Sequence, residues 1–219
     1  MKALRTLTAS VGVVVVLAIA TPAFAQMGKP ISVVATFSIL GDMIKRVGGE
    51  HVTVTTLVGP NGDSHVYQPT PADARAVNGA DLLFVNGLDF EGWIDRLVDA
   101  SGFNGTRVVA TEGIEPRAFE GEDDVQKGQD QHDHGAFDPH AWQSPRLAKV
   151  YVENIMIALA RADPENAAAF YRTRVAYVAE ISALEAQVRA MMAAIPENKR
   201  TIVTPHDAFQ YFAADYGLT

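Results

Sequence analysis

"ISVVATFSILGDMIKRVGGEHVTVTTLV", residues 31–58, decides the fold. Residues 31–36 are a short apolar and β-branched run that reads as a buried strand. Residues 38–49 carry apolar side chains at helical spacing and end on Gly48 and Gly49, an amphipathic helix with a glycine stop. Residues 52–58 are almost all β-branched and return to strand. A strand, a helix and a strand in immediate succession are the unit from which parallel sheets are built. The pattern continues downstream. Thr70 stands as an N-cap before Pro71 at the first helical position of "TPADARAV". "DLLFVNG" then reads as a buried strand, "EGWIDRLVDAS" as a helix and "RVVAT" as a strand. The expected class is α/β, a parallel sheet flanked by helices.

Further along the chain the alternation stops. Residues 115–135 hold seven acids and two bases among Gly, Gln and His, the composition of a solvated loop. Helices follow. Ser144-Pro145 starts one that runs to about Ala162, and Asp163-Pro164 starts a longer one. In the longer helix Tyr171, Val175, Val178, Ile181, Leu184, Val188, Met191 and Ile195 step by three or four residues, which predicts an apolar stripe before Pro196. A spine between two lobes is the expected role, with a coiled-coil dimer as the rival. "TIVTPHDAFQYFAADYGLT" then restarts as strand, turn and helix, the opening of a second lobe. One strand and one helix cannot cover both faces of a parallel sheet. The second lobe is therefore expected to be truncated, and the chain to be a fragment.

Upstream, Lys2 and Arg5 precede the apolar run "VGVVVVLAIA", and "PAFA" supplies small residues before Gln26. This is the layout of a signal peptide cleaved after Ala25. The apolar run is shorter than the roughly 20 residues of a membrane span. With no cysteine to carry a lipid, the expected product is exported, periplasmic and unanchored. The expected organisation is a signal peptide at 1–25 and an N-terminal α/β lobe at 26–143, the acidic loop 115–135 included. A helical region at 144–196 and the start of a C-terminal lobe at 197–219 complete it.

Zero cysteines exclude disulfides and thiolate metal sites, so any metal chemistry must use imidazole and carboxylate. Lys2 and Arg5 are the bases ahead of Gln26. The remaining 16 of 18 cations face all 26 anions, a net charge of about −10. That balance disfavours nucleic acid and anionic membranes and is compatible with handling cations.

The six histidines differ in setting. His65 lies after a strand, in the proline-stiffened "GPNGDSHVYQPTP". His140 lies in "FDPHAWQSP", behind Pro139 and before a helix. His206 lies in "VTPHDAFQYF", again behind a proline and before a helix with aromatics. Each alone reads as a polar loop residue. Three such junctions together, 75 and 66 residues apart, point to a site assembled by folding, since loops leaving strand ends are where α/β sheets bind ligands. His51, in "GGEHVTV", reads as a surface residue. His132 and His134 sit in the acidic loop and read as a weak metal-gathering pair, with a plain solvated linker as the alternative.

These motifs resemble the metal-specific solute-binding proteins of ABC importers, the cluster A-I family that serves zinc and manganese uptake. "VVATFSILGDMIKRVGGEHVTVTTLVGPNGDSHVYQPTPAD" is similar to that family's opening. "FDPHAW" and "HDAFQYFAADYGL" are similar to its second and third ligand motifs. The resemblance spans residues 30–219. It implies two Rossmann-like α/β lobes joined by a long spine helix, with the metal held between them by His65 and His140 from the first lobe and His206 from the second. It also implies a fourth, acidic ligand at a position beyond Thr219. Manganese members carry Glu where this chain has His206, so the resemblance implies Zn2+. The implied partners are the ABC membrane permease and a periplasmic zinc chaperone, with the binding protein a monomer.

The ligand chemistry supports zinc on its own terms, because imidazoles suit this ion whereas Mn2+ prefers oxygen. Copper(II) and nickel(II) would also accept three histidines. The rival readings are a manganese or other divalent-metal binding protein or adhesin of the same fold, and a zinc hydrolase, which three histidines and an open position also suit. A hydrolase needs a general base beside the metal. Asp138 and Asp207 lie next to the histidines, but without an evident substrate cleft, so no catalytic residue is assigned.

Overall fold

The computed structural model describes residues 28–118 and 136–219. The expected signal peptide, and His132 and His134, lie outside the described residues.

Four strands, β1 (Ile31–Phe37), β2 (Val52–Val58), β3 (Leu82–Val85) and β4 (Thr106–Val109), form one parallel sheet in the order β2-β1-β3-β4. The central β1 is buried on both faces through Ile31, Val33, Val34, Ala35 and Phe37. Its near-continuous apolar run is what a strand covered by helices on both sides needs. The edge strand β2 instead leaves Thr53 and Thr55 exposed. Helices α1 (Ser38–Gly48), α2 (Pro71–Asn78) and α3 (Ile94–Ser101) are the crossovers. Right-handed crossovers running in opposite directions from β1 put α1 on one face and α2 and α3 on the other. Accordingly α2 packs on α3, whereas α1 packs on α4 (Pro145–Ala162) and α5 (Ala167–Ala193).

Local chemistry sets the boundaries. Gly49, at φ 56°, closes α1 with its N–H on the Lys45 carbonyl. Thr70 and Asp73 form a reciprocal capping box on α2, with Pro71 in the first turn. Ser144 caps α4 by accepting from the Leu147 amide.

The long α5 is present, but only part of the expected stripe, Val178 and Ile181 included, lies on the face it buries. Tyr171, Val175, Leu184 and Met191 are 44–60% exposed, while Phe170 and Ile181 are buried with Tyr177 and Val178 beside them. The true seam includes charged side chains. Arg174 pairs with Glu153 and Glu185 pairs with Lys149, both across to α4, and Arg46 of α1 reaches Glu180. A seam whose periodic positions include paired charges does not show up as an apolar stripe.

The strand expected at the restart is absent, and the described residues hold a single sheet. Residues 201–209 are irregular, and the segment ends in α6 (Gln210–Tyr216). A β-branched run becomes a strand only with a ladder partner. Here the segment bonds to its own end instead: Ile202 N–H donates to the Thr219 carbonyl and Thr219 N–H to that of Arg200. Val203 is 94% exposed.

Candidate metal centre

All four strands run the same way, so the loops after β1, β2, β3 and β4 leave one edge of the sheet. The strand order reverses direction between β1 and β3, where α/β sheets open their binding crevice. The loop after β2 carries His65 and the long connection after β4 carries His140. His206 reaches the same place from the segment before α6.

Each histidine is aimed by its own short turn. The Asp63 carboxylate accepts the His65 amide at 2.9 Å, and the Asp138 carboxylate accepts the His140 amide at 2.8 Å. The two Asp-x-His turns are the same device used twice, an aspartate folding the backbone two residues on. Around His206, the Thr204 hydroxyl donates to the His206 carbonyl at 2.8 Å. The His65 turn is anchored further by the Trp93 indole N–H, which donates to the Ser64 carbonyl at 2.8 Å.

The three rings converge. His140 Nε2 lies 3.2 Å from His65 Nε2 and 3.1 Å from His206 Nε2. One ligand atom from each residue falls within a 4.8 Å cluster. Nitrogens sharing one metal ion at roughly 2.05 Å in tetrahedral geometry stand roughly 3.3 Å from one another, and the two separations from His140 are close to that. Burial is graded across the cluster: His140 is 2% exposed, His65 is half-buried and His206 is exposed. The Asp138 carboxylate also meets His140 Nδ1 at 2.6 Å, which reserves Nε2 for the cluster. Phe90 packs edge-on against His65 and His140, and Trp142 against His140. These rings wall a cavity of about 500 Å³ that also reaches Ile39, Gln143 and Ala208.

Behind the walls lies a buried polar network. After β3, Gly87, Leu88 and Asp89 all take positive φ, the latter two at 53° and 57°. This strained turn swings Phe90 toward the histidines and Glu91 into the core. The Glu91 carboxylate accepts from the Thr36 hydroxyl and from the Asn86 and Gly87 amides. Burial nevertheless pushes its pKa up, against those hydrogen bonds. The Asn86 side chain donates to the Pro139 carbonyl at 2.9 Å and accepts from the Tyr151 hydroxyl at 2.6 Å. The peptide next to His140 is thereby fixed to β3 and α4.

His51 departs from its surface reading: it is half-buried, with its ring edge-on to Phe170. It takes no place in the cluster. Asp207 is exposed, and its carboxylate accepts from the Gln210 side-chain amide. Asp63, Phe90, Glu91 and Asn86 were missed as contributors from sequence, although the repeated Asp-x-His spacing was there to be read.

The family profile described as ZnuA, zinc-uptake complex component A periplasmic, matches residues 33–219. Similar curated proteins include the iron-binding protein YfeA of Yersinia pestis, 36% identical over 190 residues, covering 87% of this chain and 58% of the relative. The manganese-binding lipoprotein MntA of Halalkalibacterium halodurans is 35% identical over 192 residues, covering 87% and 59%. Among solved structures, the Mn-bound periplasmic metal binding protein from Candidatus liberibacter asiaticus aligns with TM-score 0.75 and 34% identity, over 87% of this chain and 67% of that one. Zn(II)-bound AdcA from Streptococcus pneumoniae aligns with TM-score 0.74 and 27% identity, over 88% and 38%. The chain spans somewhat under two thirds of the length of the curated relatives it matches.

Proposed function

The chain belongs to the family of periplasmic zinc-uptake components, and on that premise we propose that it captures a divalent metal outside the cytoplasm for an ABC importer. Zinc is the preferred ion, His65, His140 and His206 are its ligands, and the membrane permease is the recipient. The observation that supports this reading is the convergence of His65 and His206 on His140 Nε2, at 3.2 and 3.1 Å, with one ligand atom of each residue inside 4.8 Å. The all-imidazole set favours zinc over manganese, which prefers oxygen ligands. The relatives' names support a transport component rather than an enzyme. The signal-like residues 1–25 support export, and the lack of a cysteine to carry a lipid favours the unanchored form. Residues 26–143 are read as the first lobe, 144–196 as the linking helical region and 197–219 as belonging to a second. His132 and His134 are read as a weak gathering pair apart from the main site.

A calorimetric titration tests the assignment. Zinc should bind the wild type in one tight step, and Mn2+ more weakly. His140→Ala should lose that step, while deletion of residues 119–135 should keep it. Tight, stoichiometric zinc in His140→Ala would sink the ligand assignment, and tighter binding of Mn2+ than of zinc would overturn the metal preference.

A further inference from the structure

His206 is the exposed member of the cluster, and its segment, residues 201–209, has no regular structure. What holds it opposite His140 is α6, which grips the first lobe at two points flanking His140. On one side, the buried Tyr211 hydroxyl donates to the Asp138 carbonyl at 2.9 Å and accepts from the Arg117 amide at 3.1 Å. On the other, the Asp215 carboxylate accepts from the Ser144 hydroxyl and from Arg146 Nε and Nη2, each at 3.1 Å. Ser144 is the N-cap of α4, so Asp215 places a negative charge at that helix's positive end. Its side chain is only 13% exposed, which strengthens the contact relative to a surface ion pair.

We propose that Tyr211 and Asp215 are positioning residues that set metal affinity by holding His206 against His140. The inference rests on the three-histidine reading above. It concerns His206 rather than His140, because the His140 turn has holds besides Tyr211: Asn86 holds the Pro139 carbonyl and the Asp138 carboxylate holds the ring. Without the α6 clamp the metal meets two placed imidazoles and a third on an untethered arm. Ordering that arm on binding then costs affinity, chiefly as faster dissociation.

A double-mutant cycle on the whole chain tests this. Zinc dissociation constants are measured by chelator competition for the wild type, Asp215→Asn, Tyr211→Phe, His206→Ala and the two doubles with His206→Ala. Changes to residues that orient a ligand weaken metal binding by roughly 10- to 100-fold, and each single clamp variant should fall in that range. In the His206→Ala background the same changes should have almost no effect. The cobalt(II) d–d spectrum of saturated Asp215→Asn should match the wild type, since the ligand set is unchanged. If Asp215→Asn fails to fold, Arg146→Gln removes the Arg146 half of the same contact from an exposed position, and should weaken binding in the same direction. A clamp effect of full size in the His206→Ala background would overturn the proposal, because the residues would then act on His140 or on the fold at large. Clamp variants that bind like the wild type while His206→Ala is weakened would overturn it too, leaving the ligand assignment intact. If His206→Ala itself binds like the wild type, the ligand assignment fails and this inference fails with it.

Discussion

Glu91 is the residue in which the tension between fold and site is greatest. It is buried at 4% exposure, accepts three hydrogen bonds, and still has its pKa raised by desolvation. A carboxyl whose folded pKa is above its unfolded value lends stability that is fully present below the unfolded pKa and is lost as pH rises through the folded one. In metal-free protein, the unfolding free energy of the wild type minus that of Glu91→Gln should therefore fall as pH rises above about 4.3. One proton limits the slope to about 1.4 kcal/mol per pH unit. Denaturant titrations at a series of pH values read that difference directly, and a flat or rising one would contradict it. At this scale, sequence disclosed the three clustered histidines better than their supports. His65, His140 and His206 share a local setting visible in the chain. Asn86 and Tyr151 meet across 65 residues, and Ser144 and Asp215 across 71, with no local motif on either side.

Elements were legible where apolar side chains alone mark the buried positions. The strands β1 to β4 and the helices α1, α2 and α4 follow from apolar runs, helical periodicity and, for α2 and α4, the Thr70 and Ser144 caps. The burial face of α5 was legible only in part: Val178 and Ile181 of the expected stripe lie on it, but Arg174 and Glu185 also sit on its seam as partners of α4 residues. The strand expected near Thr201 is absent, because β-propensity is realised only with a neighbouring ladder. Helix-to-strand joints depend on close approach. A Cβ at Gly48, the last residue of α1, would stand 2.5 Å from both Val52 methyls at the start of β2. Gly48→Ala should gain about 0.5–1 kcal/mol of helix propensity and lose about 1–3 kcal/mol to overpacking. The net outcome is destabilisation, measured by urea unfolding. Adding Val52→Ala should recover part of it, and a simple sum of the two single costs would show that the clash is not the cause.

Over the whole molecule, the site is anchored firmly on one side and loosely on the other. His140 and His65 rest on the sheet edge, and His206 rests on an irregular arm tied down by α6. Metal that binds only the folded form should stabilise it by roughly 4 kcal/mol at a thousandfold excess over Kd. Differential scanning calorimetry should show a rise of roughly 10 °C, lost in His206→Ala. Hydrogen exchange should localise the gain: without zinc the amides of residues 201–209 should exchange much faster than those of 33–85, and zinc should slow the former more. Equal protection of both regions in the metal-free protein would contradict this description of the arm. The common direction of the four strands has a practical corollary for instrument-building. The turns at the opposite edge, such as that around the exposed Asn104, lie at the other end of the strands from the histidines, and β4 alone spans about 13 Å. A fluorophore coupled to a cysteine placed there, in a chain with no other thiol, would label the protein at a single address and serve as a fixed distance marker. A second dye on α6 would turn the movement of the arm into an optical signal.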